Sequence, residues 1–556
     1  MTQKEREGNG GIRMLWWFGA IVFGIALAAA NCIYGSLNQD EGWYLLASLC
    51  VADGQLPYRD FFFTQGPVMP LVYGAFAKLW APYGVLGGRV LTAVFGLVAA
   101  AIAARIAAQL APQARRSEAA LTAWLLTACV PVHSYFSVIS KTYALASLLL
   151  MLGFLYLMRK KGRAMFIAGM CIALAAATRI SMGVVLPVVG LALLMRCTRP
   201  DFKGAWWKFG LGAALTLTVT YGAMYLRHPE MMTFAHEYHA VRATGGLVEW
   251  LTLRAGFASR CIQAYPLTWV LAAVLFIGLR AWRGSPRVDS STEIKTFEDF
   301  RVSAFVRDLT RFADRTVMRG SGLFLWSAAI AALAMTLVHG LSPFPYDDYQ
   351  TPVMPVMAIV VAAVLWQWLD SAASSDVVRK APLLLCIATV FMALSSPLLM
   401  DWKMIRKDRF WFEMKEKPDI LALRELGKEL REKIAPSELL LTQDAYLVVE
   451  ARRKVPRGLE MGPFCLFPEL SDKDARRYHV HNINTLKRLI AESDTAPIAL
   501  TSGYSFSVAC PETQRLPEDQ RHAFFTTLND YYDLVDVKQN FGQGHTEVQI
   551  WQRRPR

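Results

Sequence analysis

The sequence predicts a polytopic α-helical membrane protein of about eleven transmembrane helices, with a small C-terminal α/β extracytoplasmic domain. Three observations carry this. Of 556 residues, 54% are hydrophobic and only 19% charged, whereas a soluble chain carries about 25% charge. The apolar residues gather into runs long enough to cross a bilayer. From residue 401 the pattern changes to short apolar runs and amphipathic stretches separated by polar turns.

The first run, Met14 to Tyr34, follows the polar start "MTQKEREGNGGIR". No small-residue cleavage site follows it, so it reads as an uncleaved membrane helix. Further runs begin near Val90, Ala119, Thr142, Ala164, Ile180, Ala205, Tyr265, Gly320, Val353 and Ala381. Alternate loops are rich in Lys and Arg, at Arg115-Arg116, at 159–163, at 196–208 and from Arg280 to Arg319. The positive-inside rule assigns these to the cytoplasm, together with the N-terminus. It also absorbs the formal net charge of +14, so no nucleic-acid partner is expected; the partner of this charge is the lipid bilayer.

The segment 36–88 then lies outside, as do the loops near 133–141, 179, 227–262 and 340–352. The chain from 401 to 556 lies outside as well. A single small outer domain fits a periplasm, so the expected location is the inner (plasma) membrane of a bacterium. Residues 284–318 read as an amphipathic cytoplasmic helix on the inner leaflet. The division is therefore a membrane domain, 1–400, and a periplasmic domain, 401–556. In the latter, "DILALRELGKELREKI" has helical periodicity, "ELLLT" and "APIALTS" read as buried strands, and "YDLVDVKQNF" and "TEVQIWQRR" as a closing antiparallel pair. No GxGxxG, P-loop or GxSxG is present. The nine cysteines include no CxxC. Of these, Cys465 and Cys510 lie in the soluble part, either as free thiols or as a disulfide.

The sharpest feature is "SLNQDEGWYLLASLCVADGQLPYRDFFFTQGPVMP" (36–70). Asp40 and Glu41 stand where the first run ends, and "GWYLLASLCVA" follows at once. That stretch suits a helix lying in the interface, with Trp43 and Tyr44 at headgroup level. A loop of this kind can hold a carboxylate over a lipid headgroup, where a general base acts on a lipid-linked substrate. Outer-face cations are scarce. Lys141 follows "VHSYFSVIS" and Arg179 separates two apolar runs; they are candidates for a leaving phosphate, with snorkelling at helix ends as the alternative. Arg59 in "PYRD" and Arg89 are weaker ones, and Arg89 suits a helix anchor.

The acidic residue after the first span, the interfacial helix, "PYRD", the prolines of "GPVMP" and Arg89 opening the next span resemble the GT-C membrane glycosyltransferases. The dolichyl-phosphate-mannose–protein mannosyltransferase-like and aminoarabinose lipid A transferase groups are the nearest. "SKTYALASLLLMLGFLYL", "GMCIALAAATRISMGVVLPVV" and "HGLSPFPYDDYQTPVMPVMAIVV" extend the likeness over about 400 residues at low motif specificity. The resemblance implies an inverting transfer of one sugar from a polyprenyl-phosphate-sugar donor to an extracytoplasmic acceptor: a glycolipid, a polysaccharide or a protein. It puts the catalytic base on Asp40. For such a donor the candidate phosphate contacts are Lys141, Arg179 and Arg59, and the candidate substrate contacts are Glu41, Tyr44, Tyr58 and Gln65. His339, Tyr346, Asp347 and Tyr349 of "HGLSPFPYDDYQ" suit sugar hydroxyls and ring faces, with a solvated loop as the alternative.

Two departures bear on cofactors. Thr64-Gln65 replace an acidic–basic pair that the aminoarabinose enzymes use near the phosphate and a metal, and 133–141 contains no Asp. No cofactor and no metal site is therefore expected. Asp347-Asp348 is a weak cation signal, and His236 and His239 have the wrong spacing for HExxH. Two other classes compete: a transporter or flippase of lipid-linked sugars, which internal repeats and mid-membrane charges would mark, and a non-catalytic envelope-assembly protein.

Overall fold

In the computed structural model, residues 3–159, 162–240, 246–271, 273, 322–372, 375–406, 412–492 and 496–555 are described. The expected amphipathic segment 284–318, and most of the run beginning near Tyr265, lie outside the described residues.

The first apolar run forms the C-terminal part of a helix, Gln3–Tyr34. Among the described residues, four helices are long and apolar enough to cross a membrane: Met14–Tyr34, Ala77–Leu110, Ala205–Arg227 and Phe324–Leu341. Shorter apolar helices, Thr142–Leu157, Gly162–Thr178, Ile180–Leu194 and Met354–Asp370, accompany them. The run near Ala119 is interrupted. Its helix, Arg116–Ala128, ends three residues before Pro131, because a proline disfavours helix in the residue before it. A six-residue helix, Pro131–Phe136, then starts with that proline at its first position, where its missing N–H costs nothing. This break carries the chain sideways to Lys141. Helix pairs approach closely where side chains are small. A Cβ on Gly169 would lie 2.0 Å from the Phe209 carbonyl oxygen, so only glycine permits the contact between Gly162–Thr178 and Ala205–Leu217.

The C-terminal part is built on a four-stranded sheet in the order Leu440–Leu441, Ile498–Ser502, Thr546–Arg553, Tyr532–Phe541. The first pair is parallel and the other pairings antiparallel. The residues of the last hairpin are those whose alternation is visible in the sequence. Helices Asp419–Lys433, Ile483–Glu492 and Glu518–Tyr531 flank the sheet. Cys465 and Cys510 are both buried, free thiols.

The core of this part does not stop at residue 401. One buried apolar cluster runs from Trp43, Tyr44, Phe61, Phe63 and Tyr73 of the segment 36–88 to Leu441, Leu447, Ile498 and Trp551. The helix expected to lie in the interface, Gln39–Ala52, is therefore covered. Trp43 and Tyr44, expected among headgroups, are 4% and 3% exposed. Trp43 meets Phe464 edge-on at 6.2 Å. Protein packing, and not lipid, takes up the apolar face of this helix.

Candidate functional site

The site starts at the N-terminus of Gln39–Ala52. Asn38 caps that helix, accepting from the Asp40 backbone N–H at 3.0 Å, while the Glu41 carboxylate accepts from the Asn38 N–H at 3.1 Å. This reciprocal capping box fixes the first turn. Successive helix residues point about 100° apart, so the two carboxylates separate. Glu41 turns inward onto Arg89, both side chains being fully buried. Arg89 also donates to the carbonyls of Cys32, Gly35 and Ser36 at 3.2, 2.9 and 2.8 Å. It thereby ties the end of the first helix to the start of the next. The expected substrate contact from Glu41 is thus corrected: its oxygens serve the cap and Arg89.

Asp40 turns outward and its side chain stays 33% exposed. One oxygen meets the Lys141 ammonium at 2.9 Å, and the other accepts from the Trp43 indole N–H at 3.2 Å. Lys141 also reaches Asp348 at 3.3 Å, and the Tyr143 hydroxyl donates to the same Asp348 oxygen at 2.8 Å. Lys141 is thus a bridge between two carboxylates. Arg179 stands where Gly162–Thr178 gives way to an extended residue. Its guanidinium lies over the Tyr143 ring at 4.7 Å and the Tyr349 ring at 4.4 Å, a stacking geometry that suits a planar cation. It donates to the Thr142 hydroxyl at 3.4 Å, and its Nε has no partner. Among the described residues no carboxylate pairs with it. Lys141 lies 5.8 Å from the same Tyr143 ring, so two cations flank one phenol. Tyr44 is buried, with its hydroxyl at Thr142 and in the electrostatic field of Arg179, Asp40 and Lys141.

His339 adjoins this cluster. It is tilted against Tyr349 at 5.6 Å, meets the Ser181 hydroxyl at 2.9 Å, and its Nδ1 accepts from the Gln350 amide nitrogen at 3.3 Å.

The other expected residues sit elsewhere. Arg59 donates to Asp60 and the Gly54 carbonyl on an exposed turn, beside His479 of the C-terminal part, and not beside Lys141. Tyr58 is buried, and its hydroxyl is taken by the Gln65 carbonyl. Gln65 contacts His239 at 3.3 Å. Tyr346 is half-exposed and reaches the cluster only by its edge contact with Tyr349 at 5.6 Å. Asp347 turns to Arg260 at 3.4 Å; burial raises its carboxyl pKa, partly offset by its backbone hydrogen bond. It is Asp348, its neighbour on the 3-10 turn Asp347–Gln350, that enters the cluster.

These orientations bear on metals. Asp347 and Asp348 diverge onto Arg260 and Lys141, so they do not converge on a cation. His236 stacks on Tyr225 at 5.5 Å, while His239 turns to the Thr64 carbonyl at 2.7 Å. Among the described residues no group of three His, Cys, Asp or Glu side chains could hold a metal ion. Reading the sequence missed Tyr143 and the orientation of Asp348. Tyr143 stands only two residues after Lys141, the one signal that pointed to it.

No protein-family model and no curated protein sequence matches this chain. Solved structures do. ArnT from Cupriavidus metallidurans in the apo state is 15% identical, with 98% of each chain covered and a TM-score of 0.59. The same protein bound to undecaprenyl phosphate is 15% identical over 97% of this chain and 98% of that one, with a TM-score of 0.55. An oligosaccharyltransferase of Archaeoglobus fulgidus is more distant, with 12% identity over 88% of this chain and 69% of that one and a TM-score of 0.44. ArnT, an aminoarabinose lipid A transferase, is a GT-C enzyme, and this chain has the GT-C fold over nearly its whole length.

Proposed function

We propose that this protein is an inverting glycosyltransferase that moves one sugar from a polyprenyl-phosphate-sugar donor to an acceptor outside the cytosol. One observation carries the reading. A partly exposed carboxylate, Asp40, shares a cation, Lys141, with Asp348, beside a guanidinium, Arg179, that no carboxylate pairs among the described residues. A phosphate is the natural partner for that guanidinium. The shared fold with ArnT, solved with undecaprenyl phosphate, supports a lipid-linked donor.

In this mechanism Arg179 and Lys141 hold the donor phosphate. The donor phosphate competes with Asp40 for Lys141, which leaves a carboxylate oxygen open. Asp40 then takes the proton of the acceptor O–H or N–H as that atom bonds to C1 of the sugar. The bond from C1 to the phosphate oxygen breaks, and its electron pair leaves on the polyprenyl phosphate. Negative charge therefore grows on the phosphate in the transition state, where two pre-placed cations are worth most. One displacement inverts the anomeric centre and needs no covalent intermediate. Tyr349 and His339 line the side of Arg179 and are placed to meet the sugar. The reading puts the cluster and the C-terminal part on the periplasmic side of a bacterial inner membrane. Membranes containing the protein, given labelled polyprenyl-phosphate sugars, test it. Label passing into the glycolipid, polysaccharide or protein fraction in proportion to the amount of protein supports the proposal. Folded protein that transfers no label from any donor overturns it.

A further inference from the structure

The N-terminus of Gln39–Ala52 leaves backbone N–H groups without partners in the helix, as every helix does. Backbone N–H groups on both sides of the cap, that of Leu37 before it and that of Gln39 in the first turn, are satisfied from residues far along the chain. The Leu37 N–H donates to the Asp419 carboxylate at 3.4 Å, and the Gln39 N–H to the Gln543 side-chain oxygen at 2.5 Å. The Lys415 ammonium also donates to the Ser36 hydroxyl at 3.2 Å.

The Gln39 side chain points the same way. Its amide nitrogen donates to the Gln443 carbonyl at 3.3 Å and to Asp444 at 3.2 Å. Asp444 is fully buried. It also accepts from the hydroxyls of Ser502 at 3.1 Å, of Tyr446 at 3.3 Å, and of Ser505. Every partner donates, which matches the acceptor-only character of a carboxylate. Burial raises its pKa, while the hydrogen bonds from Ser505, Ser502, Gln39 and Tyr446 oppose the rise. No substrate role follows for a group so enclosed; its partners are the sheet, by way of Ser502, and the residue preceding Asp40.

The backbone shows the same fit. Gly42, one turn from Gln39, faces the N-terminus of the helix Ala445–Ala451. A Cβ there would lie 2.2 Å from the Tyr446 nitrogen. The two helix starts therefore pack backbone to backbone, with Asp444 at their junction.

We infer that the C-terminal part is a positioning element of the active site, in which Asp444, through Gln39, fixes the helix turn that aims Asp40. This rests on the reading of Asp40 as the base. Asp444 and Gln39 are positioning residues: neither contacts Lys141, Arg179 or Asp348 among the described contacts. The inference gives the 401–556 segment a part in catalysis without requiring it to bind an acceptor.

The test is a double-mutant cycle on polyprenyl-phosphate release by the full-length protein, with Gln39→Met, Asp444→Asn and both together. Asp40→Asn serves as reference, and Arg477→Ala, which removes an exposed pair with Glu230, as control for general attachment of the C-terminal part. Small displacements of a catalytic group cost up to about 10²-fold in rate. Each single variant is expected to lower kcat about tenfold or more with donor KM unchanged. The double variant is expected to lose no more than the worse single one, since coupled residues are non-additive. Arg477→Ala is expected to match wild type. Wild-type kcat in Gln39→Met and Asp444→Asn, or losses that multiply in the double variant, would overturn the inference. If Asp40→Asn retains full turnover, the reading of the base fails instead, whatever the cycle shows. If Asp444→Asn does not fold, Gln39→Met alone decides, by its kcat against its KM.

Discussion

The Arg89–Glu41 pair separates a structural from a substrate role for the carboxylate next to Asp40. Both side chains are fully buried and paired. Arg89 also satisfies three carbonyls where the first helix ends. Removing one partner of a buried pair leaves an uncompensated charge and costs roughly 3–5 kcal/mol. Arg89→Ala orphans Glu41 and the three carbonyls together, so it belongs at the upper end of that range. Glu41→Gln leaves Arg89 charged and should fall at the lower end, because its cap and carbonyl bonds persist. Replacing both by apolar residues of similar size, Arg89→Met with Glu41→Leu, should recover much of the loss, since no charge is then left unpaired. Thermal unfolding in detergent, with the yield of folded protein beside it, reads all three against wild type. Turnover per folded molecule in Glu41→Gln should stay within a few-fold of wild type. Unchanged unfolding in Arg89→Ala would refute the structural argument. Unchanged unfolding in Glu41→Gln with lost turnover would return Glu41 to the substrate.

Three further outcomes are expected. Lys141→Met and Arg179→Ala should each lower turnover by about 10²–10³-fold, the usual loss for a donor that meets transition-state charge, measured as polyprenyl-phosphate release at saturating acceptor. Asp348→Asn should leave Lys141 and Tyr143 short of an acceptor and destabilise the fold by about 1–3 kcal/mol, seen as a lower unfolding temperature. Glu460 gives a pH signature: burial, against its backbone hydrogen bonds, raises its pKa from 4.5 to about 7. Below about pH 4.5 it is neutral folded or unfolded and costs nothing. Between these values the folded chain keeps a proton that the unfolded chain has lost, so stability falls as pH rises, by roughly 3 kcal/mol once above about pH 7. Glu460→Gln should therefore unfold later than wild type at pH 8 and together with it near pH 4; equal stability at pH 8 would contradict the burial argument.

What the sequence made legible followed from local pattern. Run length marked the membrane part, and rough alternation marked Tyr532–Phe541 and Thr546–Arg553. Among the candidate site residues, Asp40, Lys141, Arg179, Tyr349, Tyr44 and His339 share one neighbourhood, because each stands at or near the end of an apolar run. The failures are those of orientation and long-range packing. Asp347 and Asp348 are adjacent, and only the 3-10 turn decides which of them faces Lys141. Arg59 has a nearer carboxylate in Asp60. Trp43 and Tyr44 looked interfacial, because nothing local shows that 401–556 folds over them. Gln39 and Asp444 stand 405 residues apart, and no periodicity links them.

The most direct measurement is polyprenyl-phosphate release by wild type and by Asp40→Asn at equal folded amounts, across a panel of polyprenyl-phosphate sugars with envelope extract as acceptor. Release is expected with at least one donor in wild type, and its loss in Asp40→Asn, with the donor still bound. Release that survives in Asp40→Asn would contradict the assignment of the base, and no release with any donor would contradict the reaction itself.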